Sequence, residues 1–271
     1  MQATITLEGR TLGVDLSRAV DLAIELDFAG PQPQHFGAPR ASTRAFETQG
    51  FKGSVARGAS CNCDLITLIP HCNGTHTEGV GHLTRERFDA WRVIPAGPQP
   101  ALVVSVTPAP DSAETSEPVP HSDDRLVTRA ALEEAWPAQL PFAPRVIVIR
   151  TFPNTPEKRV RDYSGQIPPY LSRQAAQLLV EREISHLIVD LPSIDRTHDE
   201  GRLTAHRTFF GLPRGAVQLD EAKRRTATIT ELAFVPEAVP DGPCLIELQV
   251  PALGGDAVPS RPLWYPVALL P

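Results

Sequence analysis

The stretch from residue 145 to residue 190 constrains the fold most. Within Arg145–Arg150, Val146-Ile147-Val148-Ile149 is the continuous β-branched run expected of a strand buried on both faces. Ile184–Asp190 is a second such run. Between them Ala175, Leu178 and Leu179 recur at helical spacing, predicting a helix over about 173–183 with Ser172 as N-cap. Strand, helix, strand with short connections predicts a βαβ unit and hence α/β architecture. The second strand runs into Asp190-Leu191-Pro192-Ser193-Ile194-Asp195, polar residues where α/β folds place ligands.

The rest of the chain supplies short elements. Residues 3–8 and 11–16 flank Glu8-Gly9-Arg10 and predict an opening hairpin, whereas 19–26 fits either a helix or a strand. Residues 30–45 form a long Gly- and Pro-rich loop, in which His35 is expected at the surface. Cys63–Pro70 predicts a buried strand, with Cys61 and Cys63 as buried thiols on one face. Further strands are expected at Ala101–Val106, Ile229–Phe234 and Cys244–Val250, a helical turn at Thr84–Trp91, and a helix at Thr128–Trp136 capped by Thr128. The acidic, Pro-rich segment 107–125 predicts a mobile excursion or lid rather than a domain boundary. The 28 prolines favour short elements throughout.

Composition excludes several functions. A net charge of -6 argues against nucleic acid or an anionic membrane as partner. No apolar run approaches the roughly 20 residues that span a bilayer. The first residues lack the layout of a signal peptide, and four cysteines are too few for a disulfide scaffold, so a cytoplasmic protein is expected.

The chemistry concentrates in residues 71–82, His-Cys-Asn-Gly-Thr-His-Thr-Glu-Gly-Val-Gly-His, which hold three of the eight histidines. Imidazole, thiolate and carboxylate are the main protein ligands for zinc and similar ions. Glycines at 74, 79 and 81 favour a loop that bends side chains toward one point. The spacing follows no zinc-finger or H-E-x-x-H pattern, so on spacing alone a set of solvated polar side chains is the competing reading. His206 by itself reads as a core residue, and Glu231 lies among apolar neighbours where an unpaired charge is costly.

Several separated stretches together resemble the metal-dependent cyclase family that contains bacterial kynurenine formamidase and isatin hydrolase. Cys72-Asn73-Gly74-Thr75-His76-Thr77-Glu78-Gly79-Val80-Gly81-His82 stands in place of that family's H-x-G-T-H-x-D-x-P-x-H. Asp15-Leu16-Ser17 resembles its D-L-S, 190–195 its D-T-P-S-x-D, and 248–259 its closing P-L-K-x-x-G-G-D-x-S-P. The resemblance implies a single compact α/β domain over 1–271, a mixed, barrel-like sheet flanked by helices, assembling as a dimer or tetramer. It implies Cys72, His76, Glu78, His206 and Glu231 as metal ligands, His82 as proton donor and acceptor, and Glu231 as a second catalytic group.

The implied activity is hydrolysis of a small-molecule amide, lactam or related carbonyl by metal-activated water, as in kynurenine formamidase. A cyclase, dehydratase or isomerase on the same scaffold, or a metal-free binding protein, are the alternatives. Cys72 suits zinc better than manganese. The sequence departs from the family pattern at Cys72, Glu78 and Val80, and the 24 residues between His206 and Glu231 are about twice the formamidase spacing. The tryptophan that formamidases place in the early loop has no clear counterpart.

Overall fold

The computed structural model describes residues 1–110 and 113–270. Ten strands form the backbone of one large mixed sheet: β1 (Gln2–Leu7), β2 (Arg10–Asp15), β3 (His76–Gly79), β4 (Gln99–Val106), β5 (Val146–Thr151), β6 (His186–Val189), β7 (Thr228–Glu231), β8 (Gly242–Gln249), β9 (Ala257–Pro259) and β10 (Arg261–Leu269). Their spatial order is β1-β2-β10-β8-β4-β5-β6-β7-β3-β9, and Val20–Asp21 adds to β10. β4, β5, β6 and β7 run parallel, while β3 and β9 close that side antiparallel. Three helices, α1 (Arg129–Ala135), α2 (Arg173–Glu181) and α3 (Thr204–Phe210), complete the frame.

The period of two in a strand explains the core. Leu102, Val104, Ile147, Ile149, Leu187, Val189 and Ile229 meet Leu132, Leu178, Leu179, Ala205 and Phe209 from the helices. The alternate residues Ala101, Val103, Val146, Val148 and Ile188 pack with Leu22, Val235, Ile246 and Trp264. Both faces are covered, which is why these strands read as unbroken apolar runs. The expected βαβ unit is β5-α2-β6, with Ser172 Oγ accepting from Ala175 N at 2.9 Å. Thr128 caps α1 in the same way, accepting from Ala131 N at 3.1 Å. The opening hairpin turns through Glu8 and Gly9, both at positive φ, as a two-residue hairpin turn requires.

Past the ends of β5 and β6, Lys158 Nζ donates to Asp190 at 2.7 Å and to the carbonyl of Thr151 at 2.6 Å. Thr151 donates to Asp190 from its amide and its hydroxyl. Both charged groups are buried, and general experience puts the loss of one partner from such a pair at about 3–5 kcal/mol. Asp190 therefore belongs to the scaffold.

Three local expectations are corrected and one left open is settled. Asp64–Thr67 is an exposed strand, because among the described residues it pairs only with Ser42–Ala45 in a separate two-stranded arm. Cys61 and Cys63 lie on that arm and are exposed. Thr84–Trp91 is not helical along its length: single 3-10 turns occur at Val80–His82 and Ala90–Arg92 instead. Residues 19–26 are mostly extended, with an isolated bridge between Ala23 and Ala233.

In 107–125, residues 111 and 112 lie outside the described residues. Of the rest, Glu114 accepts from Arg129 N at 2.8 Å at the start of α1. Asp124 pairs with Arg196 at 2.8 Å and accepts from the Tyr170 hydroxyl at 2.8 Å. Among the described residues no helix is long and apolar enough to cross a membrane.

Candidate metal centre and active site

The site is built on β3. Strand alternation puts His76 and Glu78 on one face, and the β7 register places Glu231 directly opposite His76. On the other face Thr77 and Thr230 share a hydroxyl hydrogen bond of 2.7 Å, locking that register. The turn before β3 needs its glycine: Gly74 has φ +136°, and a Cβ there would meet Leu26 at 3.0 Å. Its carbonyl lies 2.9 Å from His76 Nδ1, so that nitrogen carries the hydrogen and Nε2 presents its lone pair.

The fourth side chain arrives on α3. No side chain of the helix's own N-cap residue, Leu203, satisfies its first amides. Asp195 does so from across the loop, accepting from Ala205 N at 2.7 Å and His206 N at 3.0 Å. The same carboxylate stands 2.7 Å from His206 Nδ1, which turns His206 Nε2 toward β3. Glu231 is steadied by accepting from Ile194 N at 2.8 Å.

The four groups converge. His206 Nε2 is 2.7 Å from Glu78 Oε1 and 3.6 Å from Glu231 Oε1, and His76 Nε2 is 3.5 Å from Glu231 Oε2. All four residues are buried. The 2.7 Å contact is off the direction a hydrogen bond needs. Among the described residues His76 Nε2, His206 Nε2 and Glu78 Oε1 thus have no hydrogen-bond partner. Buried polar atoms are rarely left so, and each histidine is oriented through its other nitrogen. Among the described residues, donor atoms within 4.8 Å of one another fall into overlapping groups, His71-His76-Glu78 and Glu78-His82-His206, that share Glu78 and could hold a divalent cation.

His71, His82 and Asp256 form the outer wall. His71 Nδ1 pairs with Glu78 at 2.8 Å and His71 Nε2 with Asp256 at 2.9 Å. His82 Nδ1 approaches the same Asp256 oxygen at 3.3 Å, and its ring stacks near that of His71 with centroids 4.3 Å apart. Burial opposes charge on His71, but its bonds to Asp256 and Glu78 prevail and raise its pKa to about 10. His206 follows the same pattern: burial opposes its charge, while Glu78 and Asp195 hold its pKa well above the ordinary value. Burial disfavours the Glu78 anion, yet the charges of His82 and His206 hold its pKa well below the usual carboxylate range. The hydrogen bonds from His71 and His82 do the same for Asp256.

Of the residues expected from sequence, Glu78, His82, His206 and Glu231 line one cavity of about 180 Å³, and His76 Nε2 lies 3.5 Å from Glu231 outside that lining. Cys72 is not among them. Among the described residues, the groups of donor atoms lying within 4.8 Å of one another include His71 and not Cys72. Burial pushes the Cys72 thiol up, which disfavours the thiolate a metal would need. Sequence reasoning assigned no role to Asp195 or Asp256, although both lie in segments that carried the family resemblance. It also misplaced His35, which is 1% exposed and lines the same cavity.

The profile of the family described as "Putative cyclase" matches residues 14–196. The chain belongs to the cyclase family. No curated protein matches it. Among solved structures it is similar to a predicted metal-dependent hydrolase from Bacillus stearothermophilus, at 14% identity and TM-score 0.56 over 92% of this chain and 98% of the other. Isatin hydrolase A from Labrenzia aggregata, bound to benzyl benzoate, gives 16% identity and TM-score 0.55 over 92% and 93%. An isatin hydrolase bound to the product analogue thioisatinate gives 15% and 0.58 over 92% of each chain. At these identities the likeness establishes the cyclase-family fold.

Asp195→Asn keeps the size of the side chain but withdraws its charge from His206 Nδ1. It is expected to weaken zinc binding by about 10–100-fold, measured by competition with a chromophoric chelator. Unchanged affinity would remove Asp195 from the support of the site.

Proposed function

We propose that the protein is a metal-dependent hydrolase acting on a small-molecule amide, lactam or related carbonyl, with chemistry like that of kynurenine formamidase. The observation that carries this reading is that His76 Nε2, His206 Nε2 and Glu78 Oε1, all buried and without a hydrogen-bond partner among the described residues, lie around the Glu78 and Glu231 carboxylates. Glu78 with His76 or His206 would hold the ion, and Glu231, 3.5 Å from His76 Nε2 and 3.6 Å from His206 Nε2, would stand beside them. Among the described residues His71 occurs in the close donor groups and Cys72 does not. With imidazole and carboxylate as donors, zinc remains our first choice and manganese gains ground without the thiolate. A divalent ion, when bound, supplies Lewis acidity toward a carbonyl and lowers the pKa of water toward neutrality.

The chain's own residues supply the rest. Asp256 holds His82 Nδ1, leaving His82 Nε2 to take a proton from the attacking water and pass it to the departing nitrogen or oxygen. The imidazolium so formed faces the Asp256 carboxylate, which stabilises it. Glu231, fixed by the Ile194 amide, would serve both as ligand and in orienting the water. The burial of Glu78 and Glu231 keeps bulk solvent from their inner oxygens, which strengthens every charge interaction in the site.

We further infer a homo-oligomer. The arm formed by Ser42–Ala45 and Asp64–Thr67 belongs to no larger sheet and exposes Phe46, Val55, Leu65 and Ile66. An isolated two-stranded ribbon is marginal in water, and a second copy of the chain would cover it. Only monomer in sedimentation velocity at micromolar concentration would overturn this. All four cysteines are free, which supports a reducing, cytoplasmic setting.

His82→Ala tests the mechanism. On zinc- or manganese-loaded protein with isatin and N-formylkynurenine as probes, kcat is expected to fall by about 10²–10⁴ while metal content stays unchanged. Full activity would remove His82 from proton transfer. Products formed without incorporation of oxygen from labelled water would favour an isomerase or dehydratase instead.

A further inference from the structure

His35 is a polar group that the fold buries and then leaves unused. It is 1% exposed, and among the described residues neither Nδ1 nor Nε2 has a hydrogen-bond partner. An unsatisfied buried polar group of this kind destabilises the fold, and a phenyl ring of similar size would avoid the cost. Burial disfavours the charged imidazolium, and a neutral ring offers one N–H and one bare nitrogen.

The backbone that carries the ring is held in place. Gln34 N donates to the Arg161 carbonyl at 3.1 Å, and Tyr163 N returns a bond of 2.9 Å to the Gln34 carbonyl. On the other side Ala38 N donates to the His35 carbonyl at 3.1 Å, and Asn73 Nδ2 holds the Pro39 carbonyl at 2.9 Å. The Phe36 ring lies 4.3 Å from that of His35, tilted by 57°. His35 lines the cavity of about 180 Å³ together with His82, Glu78, His206 and Glu231. Among the described residues no ligand atom of His35 occurs in the groups of donors within 4.8 Å of one another.

We propose that His35 is a substrate-binding residue that selects small carbonyl compounds bearing a second hydrogen-bonding group, such as a ketone, hydroxyl or ring N–H, away from the bond that is cleaved. The proposal rests on the hydrolase reading for the identity of that bond. A cavity below the roughly 300–1,000 Å³ of drug-sized sites suits a compact substrate. One good hydrogen bond from a buried neutral imidazole is enough to discriminate about tenfold or more against an analogue lacking the group.

The test compares the zinc-loaded parent with His35→Phe and His35→Gln. Metal content and Tm are measured first, then kcat and KM with N-formylkynurenine and with formanilide, which lacks the second polar group. In His35→Phe we expect unchanged metal, an unchanged or higher Tm, and kcat/KM for N-formylkynurenine lowered about 10–100-fold with little change for formanilide. His35→Gln recovers part of the loss. A Tm lowered by several degrees, loss of metal, or equal losses on both probes would overturn the proposal. Should the parent turn over neither probe, the hydrolase reading fails by itself. Calorimetric binding of N-formylkynurenine then decides: weaker binding to His35→Phe supports the role of His35, and equal or absent binding overturns it.

Discussion

Two carboxylates, Glu78 and Glu231, are buried at 1% and 4% exposure, and the rest of the site is arranged around that fact. Two anions withdrawn from water near one another must be met by positive charge, since isolated buried ions cost several kcal/mol each. Among the described residues no lysine or arginine pairs with either; the partners are His71 and His206 for Glu78, and His76 and His206 for Glu231. Imidazole can meet that need in two ways, as imidazolium or as a neutral ligand that shares a cation with the carboxylates. The Nδ1 contacts of His76 and His206 aim both Nε2 atoms inward, as either form requires, and a bound cation would take the place of the proton that His206 Nε2 otherwise turns toward Glu78.

The sheet makes this arrangement possible by changing direction at one side. The parallel strands β4 to β7 form a core covered on both faces, and β3 joins β7 antiparallel. That reversal sets His76 against Glu231, which a shift of one residue would turn to the opposite face. The loop after β6 then divides its acidic residues: Asp190 is neutralised by Lys158 within the scaffold, while Asp195 reaches α3 and orients His206. Asp256, just before β9, joins His71 and His82 into one wall.

Much of this was legible in the sequence. The β-branched runs at 146–149 and 184–190, and the caps Thr128 and Ser172, follow from local physics and recur in the structure. His76, Glu78, His82, His206 and Glu231 came from motif resemblance, and the fold brings them together across more than 150 residues of sequence. What could not be read was which surface a segment meets. Asp64–Thr67 has the apolar character of a core strand but lies on an arm outside the sheet. His35 sits in a polar, Pro-rich loop that resembles a surface segment, yet tertiary contacts to 161–163 turn it inward. The choice between His71 and Cys72 depends on the path of one turn, and adjacent residues in a sequence carry no information on that path.

The most direct measurement is metal content by elemental analysis of untagged protein, made in parallel on the parent, His76→Ala and Cys72→Ala. If the buried donors form a metal centre, the parent holds about one or two equivalents of zinc or manganese, Cys72→Ala retains them, and His76→Ala loses them. A parent that takes up no metal even after reconstitution, or a His76→Ala protein that keeps it, would contradict the assignment of this cluster.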